Sequence, residues 1–106
     1  EAIAYPERTD LVVADIGDQA TMRGVLAERA IDAVVHFSAS CYVGESSKDP
    51  VKYYRNNVIQ TLNLLEVMLE AGVKRLVFSS TCATYGDPVR LPLDETHPQA
   101  PINVYG

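Results

Sequence analysis

The sequence predicts an α/β fold, part of a doubly wound parallel sheet. Three observations predict it. Short apolar runs of strand type recur at Leu11–Ala14, Ala33–Phe37 and Val73–Ser80. The intervals between them carry helical periodicity, so the order is strand, helix, strand, long helix, strand, two crossover units. The second run, AVVHF, is continuously apolar rather than alternating, which suits a parallel sheet covered on both faces. Three strands leave two open edges, which natural domains avoid, so the chain is expected to be the middle of a larger domain.

Each element has its own signal. Glu1 to Asp10 holds Pro6 and no periodicity and is expected to be loop. The first strand ends at Asp15; Asp15, Gly17 and Asp18 make a turn, with Asp18 as helix N-cap. Met22, Val25, Leu26 and Arg29 then recur at helical spacing, and Ile31-Asp32 closes that helix. In the second strand His36 is expected to be a packed core residue, and Ser38-Ala39-Ser40 leaves the strand as small residues. Asp49-Pro50 opens the longest helix, Asp49 as cap and Pro50 in the first turn. Val51, Tyr54, Val58, Leu62, Leu65 and Leu69 form its apolar stripe, which packing on the sheet would explain, and Gly72 ends it. Asn56 and Asn57 lie beside that stripe. A buried amide is costly unless bonded, so either both face solvent or one reaches a ligand at the strand ends. Beyond Gly86, Pro88, Pro92, Pro98 and Pro101 break up regular structure.

Composition narrows the function. Nine basic against fourteen acidic residues give a net charge of −5, which argues against binding nucleic acid through its phosphates. No apolar run approaches the roughly 20 residues of a membrane helix, so no membrane partner is expected. Glu1 to Asp10 lacks the basic start and apolar stretch of a signal peptide. Cys41 and Cys82 show neither CxxC nor Cys/His spacing, so no metal is expected and both are read as reduced thiols of a cytoplasmic protein.

The chemistry concentrates in Arg75 to Gly86, RLVFSSTCATYG. In an open parallel sheet, ligands bind beyond the carboxyl ends of the strands. Ser79, Ser80 and Thr81 therefore put hydroxyls where a ligand would sit, unless they only satisfy turn backbone.

Taken together, several stretches resemble the extended short-chain dehydrogenase/reductase superfamily, and within it the UDP-glucose 4-epimerases and related UDP-sugar 4-epimerases. They are Asp15-Ile16, VVHFSAS (Val34 to Ser40), YVGES (Tyr42 to Ser46), DPVKYYRNNV (Asp49 to Val58), FSSTCATYG (Phe78 to Gly86) and VYG (Val104 to Gly106). The resemblance implies a Rossmann-type dinucleotide-binding domain with NAD as cofactor. It implies that Asp15 and Ile16 hold the adenine and that Phe37, Ser38, Ala39 and Ser40 run under the dinucleotide. Asn56 would contact the cofactor, and Ser79 and Ser80 would line the nicotinamide side. Thr81 stands at the catalytic Ser/Thr, and Tyr105 at the catalytic Tyr of the YxxxK motif; both would touch substrate, and Tyr105 also the cofactor.

The implied reaction is epimerisation at carbon 4 of a UDP-sugar, of the UDP-glucose/UDP-galactose type, through a transient 4-keto sugar, as in galactose metabolism. Tyr105 would act as base on the 4-hydroxyl while Thr81 hydrogen-bonds the oxygen. Free tyrosine titrates at about 10, so this chemistry calls for a neighbouring cation. The family's glycine-rich phosphate loop is expected ahead of residue 1, its motif Lys after Gly106, and a sugar-nucleotide domain beyond. Residues 1–106 are therefore expected to be a central fragment of the NAD-binding domain, inactive alone. Cys41 stands where some 4-epimerases have a Lys. Family members form a homodimer through the long helix. Two alternatives are a sugar-nucleotide dehydratase or decarboxylase and a non-catalytic nucleotide-sensing domain. The former often carries a carboxylate just after the catalytic Thr or Ser, where this chain has Cys82 and Ala83. The latter would not need both Thr81 and Tyr105.

Overall fold

The computed structural model describes residues 9–106. The expected loop around Pro6 falls at residues 1–8, outside the described residues. Helix α1 (Gln19–Glu28) is followed by strand β1 (Ala33–His36), a short helix α2 (Val43–Lys48) and a long helical arm. The arm comprises α3 (Pro50–Tyr53), a wider π-helical stretch (Tyr54–Ile59) and α4 (Gln60–Glu70). Strand β2 (Arg75–Phe78) and a 3₁₀ turn (Cys82–Tyr85) complete the regular structure. β1 and β2 are parallel neighbours, with Ala33 opposite Arg75 and His36 opposite Phe78. Parallel strands cannot be joined by a tight turn, and α2 with the long arm supplies the crossover.

The helix ends follow the sequence signals. The Asp18 carboxylate accepts from Thr21 N at 3.2 Å, and the Asp49 carboxylate accepts from Lys52 N at 3.1 Å. At the far end of α4, Val73 N donates to Met68 O (2.8 Å) and Gly72 N to Leu69 O (3.1 Å). This is the Schellman pattern, and it needs the left-handed φ of 73° that Gly72 adopts.

The core lies between α1, α4 and one face of the sheet. Leu26, Leu64, Val67, Met68 and Val73 are buried, with Met22, Ile31, Val34 and Leu65 packed against them. Arg23 and Glu70 clasp the rim of the same helix pair at 2.6 Å.

One expectation is corrected. Leu11–Ala14 is not a strand: among the described residues no strand lies beside it to complete a ladder, and Val13 is exposed. Among the described residues one face of the sheet is covered, and Val35 and Val77 on the other are more than half exposed. Of the arm's apolar stripe, Leu65 packs against the core, whereas Val51, Tyr54, Val58, Leu62 and Leu69 face outward, each more than half exposed. The buried line is Tyr53, Leu64, Val67 and Met68, with Asn57 and Thr61 half-buried between them. The steps from Tyr53 to Asn57 to Thr61 are four residues each, which the wide π turns accommodate. The short helix α2 and the 3₁₀ turn carry no strong sequence signal. Among the described residues, no helix is long and apolar enough to cross a membrane.

Candidate active site

Two loops leave the carboxyl ends of β1 and β2 side by side, and the long arm passes over them. Together they enclose a cleft of about 390 Å³. Its floor is small side chains, Ser38 and Ala39 from the first loop, Ser79 and Ser80 from the second. Thr81, Thr84, Tyr105 and Gly106 close one side; Asn57, Val58 and Thr61 look down from the arm.

The second loop is held by its own backbone. Ser79 N donates to His36 O (3.2 Å), extending the ladder one step past β2. Ser80 then takes a left-handed φ of 49°, a conformation that costs an L-residue energy and gathers at functional sites. Thr81 caps the 3₁₀ turn: its hydroxyl oxygen accepts from Ala83 N at 3.1 Å. Its O–H proton remains free to donate. Thr81 thus caps the turn and also lines the cleft.

The first loop is fixed from the arm. The Asn57 amide accepts from Ser40 N and donates to Ser40 O, both at 2.8 Å, and also accepts from Asn56 at 2.9 Å. One side chain therefore replaces two backbone partners that a strand neighbour would otherwise supply. His36 is buried, with Nε2 2.9 Å from the Thr61 hydroxyl and its ring against Phe78. Burial pulls its pKa down.

Tyr105 arrives through a third set of contacts. Its backbone N–H donates to the Ser46 hydroxyl (3.2 Å), which itself donates to Val43 O (2.7 Å). Its ring meets Tyr53 edge-on at 6.3 Å. The Tyr53 hydroxyl accepts from Tyr42 N (2.9 Å), and Glu45 and the Tyr42 carbonyl, both at 2.8 Å, share its proton. Burial, then the hydrogen bond to Glu45, pushes the Tyr53 phenol up; the hydrogen bonds from Lys52, then from Tyr53, hold the Glu45 carboxyl low.

Most sequence-predicted residues converge here. Phe37, Ser38, Ala39, Ser79, Ser80, Thr81 and Tyr105 line the cleft, and Ser40 is bonded to its wall. Asp15 and Ile16 lie outside its lining, in the turn before α1, where Asp15 accepts from Gly17 N at 2.7 Å. Asn56 also lies outside it, and Asn57 takes the place on the cleft. Sequence reasoning left Asn57 open beside Asn56 and gave Ser46 and Tyr53 no role of their own; the signals were four-residue spacing along the arm and the YVGES stretch. Cys41 lines the cleft, and both cysteines are free and exposed. No group of three or more metal-ligating side chains is found among the described residues.

A family model described as GDP-mannose 4,6 dehydratase matches residues 2–106. A probable UDP-arabinose 4-epimerase of Oryza sativa subsp. japonica is 51% identical over 106 residues, 100% of this chain and 26% of its own length. A UDP-glucose 4-epimerase of Rhizobium leguminosarum bv. trifolii is 58% identical over 92 residues, 87% of this chain and 28% of its own. Among solved structures, the UDP-glucose 4-epimerase of Brucella ovis in complex with NAD superposes with a TM-score of 0.87 at 51% identity, covering 91% of this chain and 30% of that one. The chain spans about a quarter of the length of the curated relatives it matches.

Proposed function

The chain belongs to the GDP-mannose 4,6-dehydratase family, and from that premise we propose that it forms the central part of the NAD-binding domain of a UDP-sugar 4-epimerase. The observation that carries this reading is that Thr81 and Tyr105, remote in sequence, share one cleft at the carboxyl ends of paired parallel strands. The small residues Ser38, Ala39, Ser79 and Ser80 suit NAD, since a flat ring can approach backbone there. When bound, NAD supplies hydride exchange at carbon 4. Tyr105 takes the proton of the sugar 4-hydroxyl and returns it once the configuration has inverted. Thr81, its acceptor side engaged by Ala83 N–H, donates to the same oxygen and orients it.

The family model's name points to elimination, which would need a further acid or base. The residues after Thr81 are Cys82 and Ala83, and among the described residues no carboxylate lines the cleft. This favours the epimerase. A homodimer through the long arm is supported by its exposed stripe, and a cytoplasmic setting by two free thiols.

The test is the full-length protein assayed with UDP-galactose and UDP-arabinose, beside Tyr105→Phe. Wild type should give the 4-epimer, and the variant should lose about 100-fold or more. An elimination product would move the reading to a dehydratase. NAD binding with no turnover of either sugar would move it to a sensing domain.

A further inference from the structure

The reaction needs the Tyr105 phenol aimed to within a fraction of an ångström. Among the described residues, side chains of α2 and α3 hold it. Ser46 is fully buried, and its hydroxyl joins Val43 O to Tyr105 N across 59 residues of sequence. Tyr53 is 2% exposed and presents its ring edge-on to Tyr105. The Tyr53 ring cannot drift, because its hydroxyl is bound at once to Tyr42 and Glu45, and Lys52 pins Glu45 at 2.6 Å. Backbone and ring of Tyr105 are thus fixed by two different side chains.

We infer that Ser46 and Tyr53 are positioning residues for Tyr105, setting the approach of its phenol to the sugar 4-hydroxyl. This rests on the reading of Tyr105 given above. Neither side chain needs to touch sugar or NAD; both act through Tyr105. A loss of aim of this kind costs turnover about 10- to 100-fold while leaving ligand binding alone.

The experiment makes Ser46→Ala, Tyr53→Leu and Tyr53→Phe in the full-length enzyme, each with and without Tyr105→Phe. Measurements are kcat, KM, bound NAD content and single-turnover reduction of bound NAD by UDP-galactose. Ser46→Ala and Tyr53→Leu should lower kcat about 10-fold or more, with KM and NAD content within about twofold of wild type. Tyr53→Phe, which keeps the ring, should lose less than Tyr53→Leu. In the Tyr105→Phe background the same changes should cost nothing further, because the group they aim is gone. Equal losses in both backgrounds, or losses that follow KM or NAD content, would overturn the inference and leave an ordinary structural role. Should Ser46→Ala or Tyr53→Leu fail to fold, Ser46→Cys, which keeps the volume and weakens the acceptor, decides by the same split. A Tyr105→Phe enzyme with wild-type kcat refutes the Tyr105 reading itself. An inactive Tyr105→Phe beside fully active Ser46 and Tyr53 variants refutes this inference alone.

Discussion

The two ends of the strands are held by different physics. Where β1 and β2 begin, α1 and α4 bury Leu26, Leu64, Val67, Met68 and Val73, and contact is apolar and non-directional. Where the strands finish, the same arm holds its neighbours through Tyr53, Asn57 and Thr61, each bonded to a named partner. Apolar packing fixes how firmly the layers adhere. Hydrogen bonds fix where atoms point. One continuous arm, residues 50–70, serves both ends, and the wider turns at Tyr54–Ile59 mark the change of task.

The comparison can be broken by substitution, from the largest effect down. Met68→Ala in the full-length protein should cost about 2–5 kcal/mol in denaturant unfolding, yet leave turnover per folded molecule unchanged. A fall in kcat there would mean that the two ends are not separate. Asn57→Ala should cost about 1–3 kcal/mol by stranding both Ser40 backbone groups, and should weaken NAD binding in a titration. Asn56→Ala is the control, expected within about 0.5 kcal/mol; equal effects would remove the distinction between the two amides.

Smaller effects sharpen it. The His36 pKa is depressed in the fold by burial, so below its ordinary value of 6.5 the unfolded chain takes up a proton that the folded chain refuses. The unfolded state then binds more protons, and stability falls as pH drops through and below 6.5. Unfolding midpoints measured from pH 7.5 to 5 should show this slope, and His36→Gln should flatten it. The least effect is expected from Arg23→Ala, since its bridge to Glu70 is about half exposed; what change there is should shrink in high salt.

How much of this was written in the sequence follows the same division. Asp18, Asp49 and Gly72 were legible because a cap depends on residue type at a fixed local offset. The strands β1 and β2 were legible as apolar runs, as was their opening into Ser38 and Ser79. Leu11–Ala14 has the same composition and is no strand, because a strand is defined by a partner that local pattern does not name. The arm was legible only in part, for a physical reason. Its outward stripe, Val51 to Leu69, is wholly apolar, whereas its inward line includes Asn57 and Thr61, because it faces the cleft. Periodicity favours the more apolar of two stripes, and of the six residues it selects only Leu65 packs against the core. The stretches that hold Ser46 and Tyr53 were legible but the contacts of these two residues were not, because their partners are distant or backbone and residue type does not announce such a bond.

Gly86 carries one more consequence. It adopts a φ of 66°, and any side chain there would be driven into the Ala100 carbonyl. Residues 87–99 therefore leave from and return to nearly the same point, tied internally by Val89 N to His97 Nε2 (3.0 Å) and Arg90 to Asp94 (2.6 Å). Closing a longer surface loop costs only slowly more entropy as residues are added. Insertions or deletions between those residues can thus accumulate over evolution without altering the separation of Thr81 from Tyr105. The spacing of Thr81 from Tyr105 is metric, not numerical: 24 positions in this chain, and free to be another count in a relative whose Gly86 and Ala100 still touch.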